Sequence, residues 1–283
     1  MEPRDQVLIT ATELAGLIES GAPVAIVDVR WRLDEPDGRP AYLEGHLPGA
    51  VYASLEDELS DHSVAGRGRH PLPSGSNLQA AARRWGVRQD SPVVVYDDWN
   101  RAGSARAWWV LTAAGLPDVR ILDGGLAAWR ASGRSLETGP VTPQPGNVTV
   151  PHDDLRAGNR PSLTAEQAGA GVVTLLDARA PERFRGEVEP LDPAAGHIPG
   201  ALNLPSTALL AADGTFIAGD ALTQLLAERG IRDGALGAYC GSGVTASVTV
   251  AALAAVGLNA ALFPGSWSEW CSDPGRAVAV GPA

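Results

Sequence analysis

A single cysteine in this sequence sits where a sulfur could do chemistry. Cys240 stands in Ala235-Leu-Gly-Ala-Tyr239-Cys240-Gly-Ser-Gly-Val-Thr-Ala246, a short apolar run, a Gly-rich turn and then an Ala/Val-rich stretch of helical length. That pattern predicts strand, tight loop and helix N-terminus. Such a loop aims several backbone N–H groups at one point, and the helix dipole adds positive potential there. An anion placed at that point is stabilised, so a thiol there is drawn toward its thiolate, the nucleophilic form. Gly241, Gly243, Val244 and Thr245 would supply the backbone of the cradle, with glycines letting it approach closely. The other cysteine, Cys271, is a lone thiol outside any such loop, most simply structural.

The rest of the composition removes alternatives. The formal charge is 22 − 33 = −11, which argues against a nucleic-acid or anionic-membrane surface. All 22 basic residues are arginine, so Schiff-base chemistry, a lysine-bound pyridoxal cofactor and a P-loop lysine are absent. Two cysteines without a CxxC fit a reduced, cytoplasmic compartment. The N-terminus lacks a basic region followed by an apolar core, so no secretory signal is expected. The longest apolar stretch, about 248–263, is broken by Gly257 and Asn259 and reads as buried helix, turn and strand. His62, His70 and His152 show no metal-ligand spacing, so neither a metal site nor a cofactor is expected.

The elements that must hold the cysteine occur twice. Val24-Ala-Ile-Val-Asp28-Val-Arg30 returns as Val173-Thr-Leu-Leu-Asp177-Ala-Arg179, and Gly45-His46-Leu-Pro-Gly-Ala50 as Gly196-His197-Ile-Pro-Gly-Ala201. Val93-Val-Val-Tyr96-Asp97 answers Leu236-Gly-Ala-Tyr239-Cys240, and Asp123-Gly-Gly-Leu-Ala-Ala-Trp129 answers Pro264-Gly-Ser-Trp-Ser-Glu-Trp270. The offsets, 149, 151, 143 and 141 residues, drift only by loop insertions and keep one order, the mark of a duplication. Strands are predicted at 24–29, 93–96, 172–176 and 235–239, and helices at 77–85, 104–114, 221–229 and 244–256. Short apolar strands alternating with helices imply α/β domains, each a parallel sheet with helices on both faces. The boundaries are 1–135 for the first domain, 136–161 for the linker and 162–283 for the second. Asp97 stands where the second half has Cys240, so one working site is expected, completed by the first domain.

Taken together these blocks resemble the tandem rhodanese-domain sulfurtransferases over nearly the whole chain. Cys240-Gly-Ser-Gly-Val-Thr245 is similar to the 3-mercaptopyruvate branch, whereas the thiosulfate branch carries Arg and Lys after the cysteine. The resemblance implies a Cys240 persulfide formed from a small sulfur donor. The sulfur would pass on to cyanide, a low-molecular-weight thiol or a thioredoxin-like acceptor. It also implies a Ser–His–Asp relay that protonates the leaving enolate. Ser242 matches the serine, His46 the histidine and Asp37 the aspartate, with Asp34 and Glu35 as competitors. Against this, His197 shares the motif of His46 without needing a catalytic role, so His46 could equally be a turn residue. Arg183 matches one of two arginines that hold the donor carboxylate. Leu191 stands in place of the other, and Arg185 could partly compensate. Asp28, Arg30, Asp177 and Arg179 occur in both halves and read as structural ion pairs at strand ends.

Two other classes are weighed. A cysteine phosphatase needs Cys-x₅-Arg, and the sixth residue after Cys240 is Ala246. A sulfur-carrier or regulatory module without turnover is separated from an enzyme by offering donor and cyanide and looking for thiocyanate.

Overall fold

The computed structural model describes residues 2–231 and 234–282. In the first half the strands are β1 (Leu8–Ile9), β2 (Ala25–Asp28), β3 (Val51–Tyr52), β4 (Val93–Tyr96) and β5 (Val119–Leu122), in the order β1-β5-β4-β2-β3. In the second they are β6 (Thr174–Asp177), β7 (Leu202–Asn203), β8 (Leu236–Tyr239) and β9 (Ala260–Leu262), in the order β7-β6-β8-β9. Every pairing is parallel. The second order is the first without β1. A single parallel bridge, Ser162 to Leu262, takes that strand's place. The central strands β4 and β8 are buried along their whole length, which is why they read as continuous apolar runs rather than alternating ones.

The four predicted helices fall where the pattern places them, shifted by one or two residues at their ends. They are Gly75–Arg84, Ala102–Ala113, Gly219–Glu228 and Ala246–Ala254. Ala102–Ala113 and Ala246–Ala254 pack against each other, and each is apolar nearly all round because it is covered on every side. One hydrophobic core therefore runs through both halves, holding Trp108 and Trp109 with Val248 and Leu253. Segment 136–161 is laid along the first sheet's half, with Glu137 bridging His46 and the N–H groups of Asn147 and Val148 donating to the Val87 carbonyl.

The duplicated Asp-x-Arg motifs lock each sheet to its Gly-His segment. Arg30 clamps Asp28 at 2.7 Å and donates to the Gly45 carbonyl, while Arg179 clamps Asp177 at 2.6 Å and donates to the Gly196 carbonyl. Both pairs are buried, and each arginine saturates a carboxylate and a loop carbonyl at once.

Candidate active site

Cys240 follows β8 directly, at the carboxyl end of the second sheet. Its loop is fastened from below by the Gly265–Trp270 segment. Ser266 Oγ accepts the Cys240 N–H at 3.0 Å, and the Trp267 and Ser268 N–H groups donate to the carbonyls of Cys240 and Gly241. Ser266 itself has φ 53, a left-handed conformation rarely tolerated by a side chain. The duplicated Gly-x-x-x-x-Trp ends are thus the locks of the two loops. In the first half Gly125 takes the strained position with φ 56, and the Leu126 N–H donates to the Asp97 carbonyl. Gly243 is fixed too. Its φ is +80, and a Cβ there would lie 2.2 Å from the Pro264 carbonyl oxygen. Its N–H donates to Cys240 Sγ at 3.2 Å.

The first domain reaches over this loop with Arg67-Gly-Arg-His70. His70 Nδ1 lies 2.7 Å from Ser242 Oγ, and its Nε2 lies 3.2 Å from Glu56 Oε1. Glu56 also accepts from Trp31 Nε1 at 2.6 Å and lies 2.8 Å from His62 Nε2. The hydrogen bond from His70, then those from Trp31 and His62 outside it, hold the Glu56 carboxyl down at about 2, against the opposing effect of burial. Burial pushes His70 below its usual range, and Glu56 only partly offsets this. At neutral pH the arrangement is therefore a neutral imidazole whose Nε2–H faces a carboxylate and whose Nδ1 accepts the Ser242 hydroxyl. The three side chains form a hydrogen-bonded Ser–His–Glu chain.

His46 and Asp37 do not come to this place. His46 is fully buried, with Nδ1 2.9 Å from the Leu47 carbonyl and Nε2 2.9 Å from the Gly139 carbonyl, and its ring stacks on Tyr42. Both ring nitrogens are thus spent on backbone. Its twin His197 is held likewise, by the Phe184 carbonyl and a stack on Phe184. Asp37 is exposed and accepts the Arg39 N–H, and Asp34 and Glu35 are exposed as well. The expected histidine and carboxylate are replaced by His70 and Glu56, because the Gly-His-x-Pro-Gly segment builds a turn in both halves while the 67–70 loop exists only in the first. Occurrence in one half alone is the sequence signal that could have singled out His70.

The cations follow the same correction. Arg183 remains beside the loop, with its terminal nitrogens 3.7 and 3.9 Å from where a Gly241 Cβ would lie. Arg69 Nη2 lies 2.8 Å from that point, so glycine at 241 is what lets the guanidinium in. Arg69 thus stands beside Arg183 at the loop, while Leu191 is exposed. Arg185 turns away to Glu187 at 2.7 Å. A third cation lies beneath. Arg106, fully buried on Ala102–Ala113, donates to the carbonyls of Leu59 and His70 at 3.1 and 3.0 Å and reaches the Gly243 carbonyl at 3.5 Å. Burial pushes its guanidinium down to about 10, and the nearby Cys240 sulfur opposes this.

The first half shows what the same cradle does with a permanent anion. Asp97 Oδ1 accepts the N–H groups of Trp99 and Arg101, and Oδ2 accepts the N–H and hydroxyl of Ser104 at 3.0 and 2.6 Å. Arg101 pairs with it at 2.9 Å, and both are buried. The other thiol, Cys271, is buried and pushed up by that burial, with the Asp192 charge adding to it. Among the described residues no three metal-ligating side chains come together, and no helix is long and apolar enough to cross a membrane.

A fold of two parallel sheets joined by one core, with one anion cradle armed by cysteine and its twin filled by aspartate, is matched by the family model for the rhodanese-like domain. The match covers residues 10–132 and again 161–273, and the chain belongs to this family. It is a sulfurtransferase, like its relatives. "Putative thiosulfate sulfurtransferase SseB" of Mycobacterium tuberculosis is 71% identical over all of both chains. "Probable 3-mercaptopyruvate sulfurtransferase" of Pseudomonas aeruginosa is 46% identical over 97% of this chain and 98% of its own. The crystal structure of SseA from Escherichia coli, solved as a 3-mercaptopyruvate sulfotransferase, superposes with a TM-score of 0.80 at 35% identity, covering 92% of this chain and 98% of its own.

Proposed function

We propose that the protein moves a sulfane sulfur from 3-mercaptopyruvate, through a Cys240 persulfide, to a thiophilic acceptor in the cytoplasm. The observation that carries the choice of donor is the Ser242–His70–Glu56 relay set beside the Cys240 loop. A proton relay is useless to a donor whose leaving group is a stable anion. Thiosulfate leaves as sulfite and needs none, whereas 3-mercaptopyruvate leaves as the enolate of pyruvate.

The Cys240 thiolate attacks the donor sulfur and the C–S bond breaks, its electron pair passing into the enolate. The thiol proton of the donor ends on the methylene carbon, so persulfide anion and pyruvate form with no net proton change. Ser242 and His70 carry that proton, the neutral imidazole taking it at Nδ1 through the serine hydroxyl and returning it. Glu56 holds the ring and stabilises the transient imidazolium. Arg69 and Arg183 hold the donor carboxylate. The Gly243 N–H, with those of Val244 and Thr245, receives the persulfide, and Arg106 supplies a fixed positive charge below it. A cyanide ion or thiolate then attacks the outer sulfur and restores the Cys240 thiolate.

Intact-mass spectrometry after exposure to 3-mercaptopyruvate tests this. One added sulfur atom is expected on the Cys240 peptide, absent in Cys240→Ser, and cyanide should release it as thiocyanate. No added sulfur with any donor defeats the proposal. Thiosulfate is the second reading. The M. tuberculosis relative bears that donor in its name, and two arginines suit a dianion. A higher kcat/KM with thiosulfate decides for it.

A further inference from the structure

The arginine pair that would grip the donor is already gripping something. Asp192 lies between Arg69 and Arg183, with Oδ1 on Arg69 Nη1 and Oδ2 3.6 Å from Arg183 Nη2. Its side chain is 4% exposed, yet Oδ2 has no hydrogen-bond partner, and Arg69 Nε and Arg183 Nε are likewise buried and unpartnered. Glu189 Oε1 takes the same Arg183 Nη2 at 2.7 Å, with a side chain 3% exposed. Between them Leu191 points outward, as does Val188 before them. Segment 188–192 is thus a strap with the Glu189 and Asp192 carboxylates turned in and the Val188 and Leu191 side chains turned out. Cys240 below it is 1% exposed, so a donor cannot reach the sulfur without moving something.

We infer that Asp192 is a resident carboxylate seated where the donor's carboxylate binds, and that donors are selected by their ability to displace it. This rests on the reading of Arg69 and Arg183 as the donor-carboxylate site. An incoming carboxylate inherits the Arg69 contact and satisfies the unpartnered arginine nitrogens, which Asp192 cannot reach from its backbone. The released strap lifts and uncovers the sulfur. A neutral sulfur donor has nothing to exchange for Asp192 and meets a closed site. Asp192 is a specificity-determining residue that touches the reacting atoms only through the arginines.

Asp192→Asn keeps the shape and removes the charge. Its KM for 3-mercaptopyruvate should fall on the order of fivefold, the size of one partly screened ion pair, with kcat little changed. The inhibition constant of pyruvate should fall in parallel, and Asp192→Glu should return both toward the parent. Alkylation of Cys240, read by mass without turnover, should accelerate more with iodoacetate than with iodoacetamide. An unchanged or raised KM and pyruvate constant, or equal acceleration by the charged and neutral reagents, overturns the inference. The underlying reading fails separately: it falls if Arg69→Gln and Arg183→Gln leave KM for 3-mercaptopyruvate unchanged.

Discussion

His70 and His46 show how one residue type serves chemistry or architecture according to what its nitrogens face. His70→Ala removes the relay and should lower kcat/KM for 3-mercaptopyruvate by about 10²–10⁴-fold, the range of a lost general acid–base, while transfer from thiosulfate suffers much less. Equal losses with both donors would remove the relay from the mechanism. His46→Ala strands the Leu47 and Gly139 carbonyls instead, so it should cost on the order of 1–3 kcal/mol of stability, read from denaturant melts. Acid acts on the relay in one direction. Burial keeps His70 neutral below its ordinary 6.5, so the unfolded chain binds its proton first and stability falls as pH drops through that value. Glu56 sits near 2 rather than 4.5 in the folded protein, so its contribution is whole above pH 4.5 and is lost toward pH 2. Glu56→Gln should therefore narrow its stability gap to the parent as pH falls from 5 to 2. It should also move the acid limb of kcat/KM to lower pH, because the neutral amide no longer favours the imidazolium. Cys240 and its loop were legible in the sequence because their signal is local. The relay was not, because His70 and Ser242 are 172 residues apart and meet only through the domain interface. Comparing the halves marked Asp28 and Arg30 as structural, and the same comparison with His197 had already offered the turn reading of His46 that the structure shows.

At the scale of elements, the Cys240 loop is held by residues whose only role is to let it take its shape. Gly243→Ala forces a Cβ to within 2.2 Å of the Pro264 carbonyl at φ +80, so the loop must move and persulfide formation should be lost. Ser266→Ala removes the hydroxyl that accepts the Cys240 N–H. It should cost about 1–2 kcal/mol and slow alkylation of Cys240 at fixed pH, and an unchanged alkylation rate would mean that this lock does not set the loop. The four strands and four helices given ranges from the sequence were placed nearly to their ends, because buried parallel strands and all-apolar helices leave continuous runs; β5 and the helix Ala11–Glu19 were not foreseen. The two-residue strands β1, β3 and β7 left no such run, being fixed by pairing with their neighbours.

The whole molecule is one working unit, although its sheets are separate. Cys240, Ser242 and Arg183 come from the second half, and Glu56, Arg69, His70 and Arg106 from the first. The core between Ala102–Ala113 and Ala246–Ala254 fixes the distance between them. Residues 162–283 expressed alone should expose the buried face of Ala246–Ala254, aggregate, and form no persulfide with 3-mercaptopyruvate. A soluble, active second half would disprove this dependence. The duplication also sets the stoichiometry. With Asp97 saturating its own ring of amides and Arg101 closing over it, the first loop carries an anion that cannot be exchanged. Each polypeptide can therefore store a single equivalent of sulfane, so the fast burst of pyruvate should amount to one molecule per chain, any slower release being set by transfer to a thiol, the donor's own included.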